Sequence, residues 1–321
     1  KGIHAHVVGD TIVDSYTYCS MIGGMTKTPT MSVRFEKKVD YVGGAGVVAK
    51  HLRAAGAGVT FSTVLGNDAY RSFVIDDLST AGVHCMPIID ETRPTTNKNA
   101  IVAEGYRMLK VDTLDNRSIS SKLVEQLKQQ ITGTKTQVVA FCDFRHGIFN
   151  RDTIPHLISA IPEGVFRVAD SQVASRWGNI LEFQGFDLIT PNEREARFAL
   201  GDQDTVVRPL ALELYQRSNC GTLILKCGER GIITYRSRSP DYHAFFNIET
   251  FADRVVDAVG AGDALLAYAT LALVATKNDV IASILGNMAA GIECEHDGNW
   301  PVTPEMVLKK IESVEKLVHY K

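Results

Sequence analysis

Short β-rich apolar segments alternate with helix-like segments along most of this chain. The strand-like runs are residues 59–65, 137–142, 165–169, 186–190 and 222–226. The helical patterns between them are residues 46–55, 69–81, 121–131, 151–160, 193–200 and 206–217. This alternation predicts an α/β fold with a mostly parallel sheet between two layers of helices. Ligands of such folds bind beyond the carboxyl ends of the strands.

Two regions interrupt the alternation. Residues 14–42 are polar and Thr-rich, with no helical period, whereas residues 83–89 and 97–112 look like extended ribbons. We expect these two lid segments, 14–42 and 83–112, to form a small β lid that excludes water from the ligand edge. No linker or repeat is visible, so residues 1–321 are predicted to form a single domain that includes the lid.

Composition and charge narrow the class of protein. The net charge is -3 without a basic block, which argues against nucleic acid and anionic membranes as main partners. No apolar run has membrane-spanning length, and the six cysteines are scattered without a C-x-x-C pair. Reduced thiols and a cytoplasmic location are therefore expected. The first residues already read as a strand, so we expect a chain cut from, or fused to, a longer polypeptide.

The run of residues 256–263 is the strongest chemical motif. Gly260, Ala261 and Gly262 form a turn before a long apolar helix, with Asp263 directly after them. Glycines and a helix N-terminus let backbone N–H groups approach an anion. Asp263 would repel a phosphate, but it suits a base that removes a hydroxyl proton while the amides stabilise a transferring phosphoryl group. A capped turn with Asp263 as a capping residue is the alternative.

Two N-terminal features suit a hydroxylated ligand. Asp14 lies just after the first strand, where a carboxylate can bind sugar hydroxyls, although a turn aspartate fits equally well. Gly43 and Gly44 precede a helix and permit close backbone approach, but a glycine pair alone is weak support.

Three further features suit a nucleotide and its metal. Asn192 and Glu195 are spaced to share a helix face and could hold Mg²⁺ largely through waters, but alone they favour a capping box. The loop from Lys226 through Gly228 to Gly231 could cover a nucleotide base or form a tight hairpin. Asn287 lies in a helix of small residues, which allows an adenine slot or simply close packing.

Together, and in this order, these motifs resemble the PfkB (ribokinase-like) family of carbohydrate kinases. The resemblance covers nearly the whole chain and implies a ribokinase-like three-layer αβα sandwich, ATP as phosphoryl donor and Mg²⁺ as cofactor. It implies Asp263 as catalytic base and Gly260, Ala261 and Gly262 as the anion-binding amides. The implied binding residues are Asn192 and Glu195 for magnesium, Asp14, Gly43 and Gly44 for the sugar, and Lys226, Gly228, Gly231 and Asn287 for adenine.

A narrower resemblance is to the heptose 7-phosphate kinase branch, the kinase half of bifunctional ADP-heptose synthases. It rests on residues 9–16, 93–98, 107–112 and 142–147, and it implies that Lys98 faces a sugar phosphate. This chain departs from the family's pattern at Gly46, at Ala258, at Asn99-Ala100 and at the stretch Ala169-Asp170-Ser171-Gln172. The departures at Asn99-Ala100 and at residues 169–172 each remove an expected cation.

We therefore expect an ATP-dependent kinase that phosphorylates a hydroxyl of a sugar or sugar phosphate, with a heptose 7-phosphate as one candidate. A kinase for a free sugar or a nucleoside remains an alternative, as does a ligand-binding protein of reduced activity on the same fold. The expected partners are a small-molecule sugar and a second copy bound through the β lid, but neither nucleic acid nor a membrane.

Overall fold

The computed structural model describes residues 2–23, 30–173, 177–236, 244–296, 298 and 300–319. Its strands are β1 His4–Gly9, β2 Thr11–Gly23, β3 Ser32–Gly44, β4 Gly58–Gly66, β5 His84–Asp90, β6 Asn97–Ala103, β7 Tyr106–Thr113, β8 Val138–Asp143, β9 Phe166–Ser171, β10 Leu188–Ile189, β11 Thr222–Lys226, β12 Ile232–Tyr235 and β13 Phe245–Ile248. Its helices are α1 Ala45–Ala54, α2 Ala69–Thr80, α3 Ser121–Gly133, α4 Thr153–Ser159, α5 Glu193–Leu200, α6 Val207–Ser218, α7 Ala261–Thr276, α8 Asp279–Cys294 and α9 Pro304–His319.

Within the described residues the central sheet is nine-stranded, in the order β13-β12-β11-β10-β9-β8-β1-β4-β5. Strands β11 to β5 in this order run parallel, and β12 and β13 add an antiparallel edge. The chain builds outward from β1 to β4 and β5 on one side, and the later strands lie on the other side. The order thus reverses between β1 and β8, and ligands of open α/β sheets bind at such a point.

Side chains of each buried strand alternate between two cores. In β1, Val8 packs with the cluster beneath α3 to α6, whereas Ala5 and Val7 pack with the cluster beneath α1, α2, α7 and α8. In β8, Phe141 packs with the first of these clusters and Cys142 with the second. A strand buried on both faces requires nearly continuous apolar sequence, and these runs have it. The predicted three-layer αβα sandwich is confirmed.

A second sheet of order β3-β2-β6-β7 forms the lid. Its strands comprise Thr11–Gly23, Ser32–Gly44, Asn97–Ala103 and Tyr106–Thr113, so the lid reaches slightly beyond the predicted segments 14–42 and 83–112. The assignment of residues 83–90 to the lid was wrong. His84–Asp90 pairs in parallel with β4 and forms the edge of the central sheet. Ile88 is buried there against α3, which explains why this ribbon joins the core.

Within the part of the chain that the structure describes, no helix is both long and apolar enough to cross a membrane.

Candidate active site

A cleft of 960 Å³ lies between the carboxyl edge of the central sheet, the lid and the N-terminus of α7. Nearly every candidate residue from the sequence lines it: Asp14, Gly44, Lys98, Asn192, Glu195, Lys226, Gly228, Gly231, Gly260, Ala261, Gly262, Asp263 and Asn287. Gly43 is the exception and lies behind Asp14. The fold thus brings residues that are far apart in sequence to one surface.

The N-terminus of α7 forms the anion-binding part of the cleft. Gly260 precedes the helix in a left-handed conformation, with φ of 87°, which a glycine adopts without strain. Its carbonyl accepts from the amides of Asp263 and Ala264, both at 2.9 Å. Among the described residues, the amides of Ala261 and Gly262 have no main-chain acceptor outside the helix. Two donors and the positive end of the helix dipole are therefore available to an anion.

Asp263 lies in the first turn of α7, in an acidic surrounding. Burial and the nearby Asp170 raise the pKa of Asp263 to about 7, while Lys226 opposes this shift. A carboxylate with a pKa near the working pH is suited to general-base catalysis. Asp263 forms no side-chain cap of the helix, so the alternative of a simple capping residue finds no support in the geometry.

Lys226 forms the centre of this acidic surrounding. Its Nζ lies 3.2 Å and 3.5 Å from the two carboxylate oxygens of Asp170, at the end of β9. Burial lowers the pKa of Lys226, but Asp170, Glu195 and Asp263 together raise it above its usual value. The ammonium group is thus held positively charged between three carboxyl groups.

Asn192 and Glu195 form a reciprocal capping box at the start of α5. Asn192 Oδ1 accepts from the Glu195 amide at 2.8 Å, and Glu195 Oε2 accepts from the Asn192 amide at 2.6 Å. Glu195 is buried, which raises its pKa to about 7. The capping box, which the sequence analysis gives as the alternative to a metal site, is therefore present. It leaves both side chains on the cleft wall, where they can also order water around a cation.

Among the residues that the structure describes, no three acidic, histidine or cysteine side chains are arranged to hold a metal ion, so these residues do not preform a magnesium site with three protein ligands. Mg²⁺ usually retains several waters and binds through one or two carboxylates together with substrate phosphates. Glu195 and its neighbours fit that second kind of site.

The opposite wall of the cleft is built from small residues of the β11–β12 connection and α8. Gly231 has φ of 78°, and a Cβ there would lie 2.0 Å from the Ile248 carbonyl oxygen. Gly228 also has a positive φ of 60° and faces open space. Asn287 is buried and donates from Nδ2 to the Glu249 carbonyl at 2.7 Å. This wall therefore carries no side chain at Gly228 or Gly231, which leaves room for a ligand.

Asp14 and the glycine pair are structurally linked. A Cβ on Gly43 would lie 2.1 Å from Asp14 Oδ2, so glycine at this position makes room for the carboxylate. Gly44 has φ of 60°, and a Cβ there would lie 2.5 Å from the Asp10 carbonyl oxygen. Burial raises the pKa of Asp14, and Lys98 and Lys110 oppose that shift. Gly43 thus makes room for the Asp14 carboxylate at the cleft, and Gly44 directly precedes α1.

Three cations of the lid face the same end of the cleft. Lys98 of β6 pairs in register with Asp14 of β2, and Arg107 and Lys110 come from β7. Burial lowers the pKa of Lys98, while Asp14 opposes this. The Arg107 guanidinium lies 5.6 Å from the centre of the Tyr16 ring. These three cations line the cleft from the lid, whereas Gly228, Gly231 and Asn287 line it from the β11–β12 connection and α8.

A β-bulge brings Arg107 and Lys110 to one face. They are three residues apart, which in a regular strand would point them to opposite faces. Register with β6 shifts between Ile101 and Val102, so Lys110 opposes Ala100 while Arg107 opposes Val102. Met108 is the extra residue of this bulge, and it shifts the alternation of side chains in β7 so that Arg107 and Lys110 share a face.

The model of the pfkB family carbohydrate kinases matches residues 4–305. The chain belongs to this family.

Relatives of this pfkB kinase include longer proteins. The bifunctional protein HldE of Geobacter metallireducens is 27% identical over 317 residues, covering 96% of this chain and 63% of the relative. HldE of Nitratiruptor sp. is 26% identical over 319 residues, covering 97% of this chain and 65% of the relative. The chain therefore spans less than two thirds of the length of these relatives.

Solved structures share its fold. Phosphofructokinase-2 from Escherichia coli, in a tetrameric inhibited form, superposes with a TM-score of 0.79 at 16% identity, over 98% of this chain and 99% of the other. Ribokinase from Thermotoga maritima gives a TM-score of 0.76 at 19% identity, over 97% and 99%. At these identities the likeness establishes the ribokinase-like fold.

Three residues of this pfkB kinase were missed or misplaced by the sequence interpretation. The sequence predicts Lys226 as part of the adenine pocket, whereas its Nζ lies 3.0 Å from the position that a Cβ would take on Gly262, in the first turn of α7. The sequence analysis includes Asp170 only in a stretch that departs from the family's pattern, and Arg107 only in a stretch that resembles the heptose kinase branch; it predicts neither as a site residue. A lysine at the carboxyl end of a parallel strand was the available signal for Lys226, because such ends meet at the ligand edge.

Proposed function

We propose that this chain is an ATP-dependent kinase that transfers the γ-phosphoryl group to a hydroxyl of a phosphorylated sugar. The observation that carries the proposal is the shared cleft. Its lining includes the Asp263 carboxylate and two available amides of α7, small residues of the β11–β12 connection and α8, and the lid cations Lys98, Arg107 and Lys110. The small residues suit a nucleotide base, and the lid cations suit an anionic acceptor.

In the proposed reaction Asp263 accepts the proton of the acceptor hydroxyl. The acceptor oxygen forms a bond to the γ-phosphorus, and the bond from that phosphorus to the bridging oxygen of ADP breaks. The Ala261 and Gly262 amides donate to the phosphoryl oxygens as charge accumulates there. Asp263 does this work only when deprotonated, and its pKa of about 7 leaves a substantial ionised fraction at neutral pH.

Mg²⁺ would supply charge neutralisation between the ATP phosphates. Asn192 and Glu195 are the residues proposed to hold it, chiefly through ordered waters. The buried capping box supports this role, because it fixes both side chains on the cleft wall without requiring direct ligation.

The acceptor is proposed to be a sugar phosphate, with a heptose 7-phosphate as the first candidate, since HldE proteins are among the relatives. Lys98, Arg107 and Lys110 support an anionic group on the acceptor. They also offset the cations that the sequence lacks at Asn99-Ala100 and at Gln172.

The test is a product-resolved screen of ATP consumption with matched phosphorylated and free sugars, including heptoses, hexoses, pentoses and nucleosides. We expect turnover with a phosphorylated sugar, and its loss in Asp263→Asn. Turnover with a free sugar or nucleoside alone would replace the proposed acceptor. Binding of sugars without ATP consumption would instead establish a ligand-binding protein.

The outer face of the lid is proposed to bind a second copy of the chain. Phe35, Tyr106 and Leu109 are 63%, 75% and 61% exposed there, which is unusual for large apolar side chains clustered on one sheet. Sedimentation of the wild type and of the double variant Phe35→Ser/Leu109→Ser tests this. A wild type that stays monomeric at micromolar concentration would contradict it.

A cytoplasmic location is also proposed. ATP is the expected donor, and all six cysteines are free thiols. Cell fractionation with an antibody against this chain tests it.

A further inference from the structure

Lys226 occupies a position that its strand and loop alone do not explain. The side chain leaves the end of β11 and lies along α7, with Nζ 3.0 Å from where a Cβ of Gly262 would be. It is 17% exposed, and the exposed part lines the cleft. The ammonium group therefore lies close to Gly262, in the first turn of α7.

A cation at a helix N-terminus is electrostatically unfavourable by itself. The amides of α7 present a partial positive charge, which repels an ammonium group and attracts an anion. Here Asp170 compensates, and Glu195 and Asp263 contribute at longer range. Lys226 and the α7 amides thus provide hydrogen-bond donors beside this acidic cluster, and a phosphoryl oxygen can accept from them.

The contact between Lys226 and Asp170 is loose. Its N–O distances of 3.2 and 3.5 Å exceed the 2.7–2.9 Å typical of strong charge-assisted hydrogen bonds. Asp170 also accepts from the Thr190 hydroxyl at 3.2 Å, so it keeps a partner if the ammonium group moves. When the lysine turns to another anion, the Asp170 carboxylate therefore retains one hydrogen-bond donor.

We propose that Lys226 is a catalytic residue that leaves Asp170 to bind an oxygen of the transferring phosphoryl group, beside the Ala261 and Gly262 amides. This inference rests on the proposed kinase function and adds a protein cation to its transition-state site. No covalent bond to Lys226 forms, and the residue stays protonated throughout.

The competing role for Lys226 is purely structural, as a counter-ion for three carboxyl groups. The two roles predict different results when Asp170 is neutralised together with Lys226. Lys226→Met leaves the carboxyl groups unpaired, whereas Lys226→Met/Asp170→Asn removes one charge of each sign. A structural lysine is dispensable in the double variant, but a catalytic one is not.

The experiment measures kcat and melting temperature for both variants, with Lys50→Met as the matched control. Lys50 also pairs with a carboxylate, Asp77, and is likewise 17% exposed, but it lies on α1 outside the cleft. We expect a loss of about 10²-fold in kcat for the single and the double variant, as for removal of one oxyanion donor. The double variant should melt close to the wild type, and the control should keep wild-type kcat. Recovery of most of the activity in the double variant would overturn the inference, as would unchanged kcat in both.

A binding measurement separates this inference from the proposed function. Calorimetry with a non-hydrolysable ATP analogue and with ADP uses no turnover. Because Lys226→Met removes one charge-assisted contact, the affinity for the ATP analogue should fall about 10-fold, whereas the affinity for ADP should be nearly unchanged. Equal affinities of variant and wild type for the analogue would refute the role of Lys226 while leaving the kinase function intact. A wild type that binds neither nucleotide would refute the kinase function itself, and this inference with it.

Discussion

The two ends of the cleft are built in different ways. The end proposed for phosphoryl transfer, here called the transfer end, is built at the edge of the central sheet. It comprises residues at strand ends and in the first turns of helices, namely Asp170, Glu195, Lys226 and Asp263, of which Asp170 and Glu195 are buried. The end proposed to bind the acceptor, here called the acceptor end, includes Arg107 and Lys110 of β7, a lid strand whose residues are all exposed. The transfer end has pKa values of about 7 for two carboxyl groups, Asp263 and Glu195.

The difference follows from the two tasks. Charge that develops on a transferring phosphoryl group is stabilised best by donors that are already fixed and poorly hydrated, and the sheet and helices provide these. Recognition of an acceptor needs side chains that can close around it, and a lid of long cations can do so. Substitutions at the transfer end should therefore change kcat, and those at the acceptor end should change acceptor affinity.

The largest effect is expected from Asp263→Asn. Loss of the general base should lower kcat by about 10²–10⁴-fold, while the fold and nucleotide affinity are retained. Steady-state kinetics and calorimetry with ADP check both parts. Near-normal turnover on the best acceptor would refute the assignment of the base.

The acceptor end is tested by Lys98→Met and, separately, by Arg107→Met. Each removes a charge-assisted donor, worth roughly 1.5–3 kcal/mol, so the affinity for a phosphorylated acceptor should fall about 10–100-fold. ATP affinity should not change, and the free form of the same sugar should be little affected. Lys128→Met is the control, because Lys128 pairs with Glu125 on α3 and does not line the cleft. If neither variant alters the preference for the phosphorylated form, these are solvated lid residues.

Asp170→Asn probes the electrostatics of the transfer end through pH. With Asp263 at a pKa of about 7, activity should rise with pH up to about 7 and then level off, because the base works when deprotonated. Asp170 raises the pKa of Asp263, so its neutralisation should move this rise to lower pH. The measurement is kcat against pH, with Asp77→Asn as control. A rise at unchanged pH would show that Asp170 does not act on the base.

The smallest effect is expected from Glu195→Gln. Glutamine can keep the capping box, so the fold should persist, but the magnesium concentration for half-maximal activity should increase several-fold. Acceptor affinity should be unaffected. Glu193→Gln, two residues away and paired with Arg197, is the matched control. Identical magnesium titrations of all three proteins would exclude Glu195 from the metal site.

The sequence alone determined the main architecture and the transfer motif. Periodicity predicted the helix Glu193–Leu200 with the bounds that the structure has. The Gly260–Asp263 run predicted a helix N-terminus with a carboxylate, because glycine turns and apolar helices are local patterns. The base assignment for Asp263 stays a prediction, but its position at the cleft agrees with it.

Tertiary structure decided the features that depend on distant partners. Residues 83–90 could join either sheet by pattern alone, and only pairing with β4 placed them in the central one. The bulge at Met108, which brings Arg107 beside Lys110, arises from register with β6. Lys226 lies beside Gly262 of α7 and Asp170 of β9 because β11, β9 and α7 meet at one edge. Local sequence specifies which elements form, but long side chains and strand register depend on packing between segments far apart in the chain.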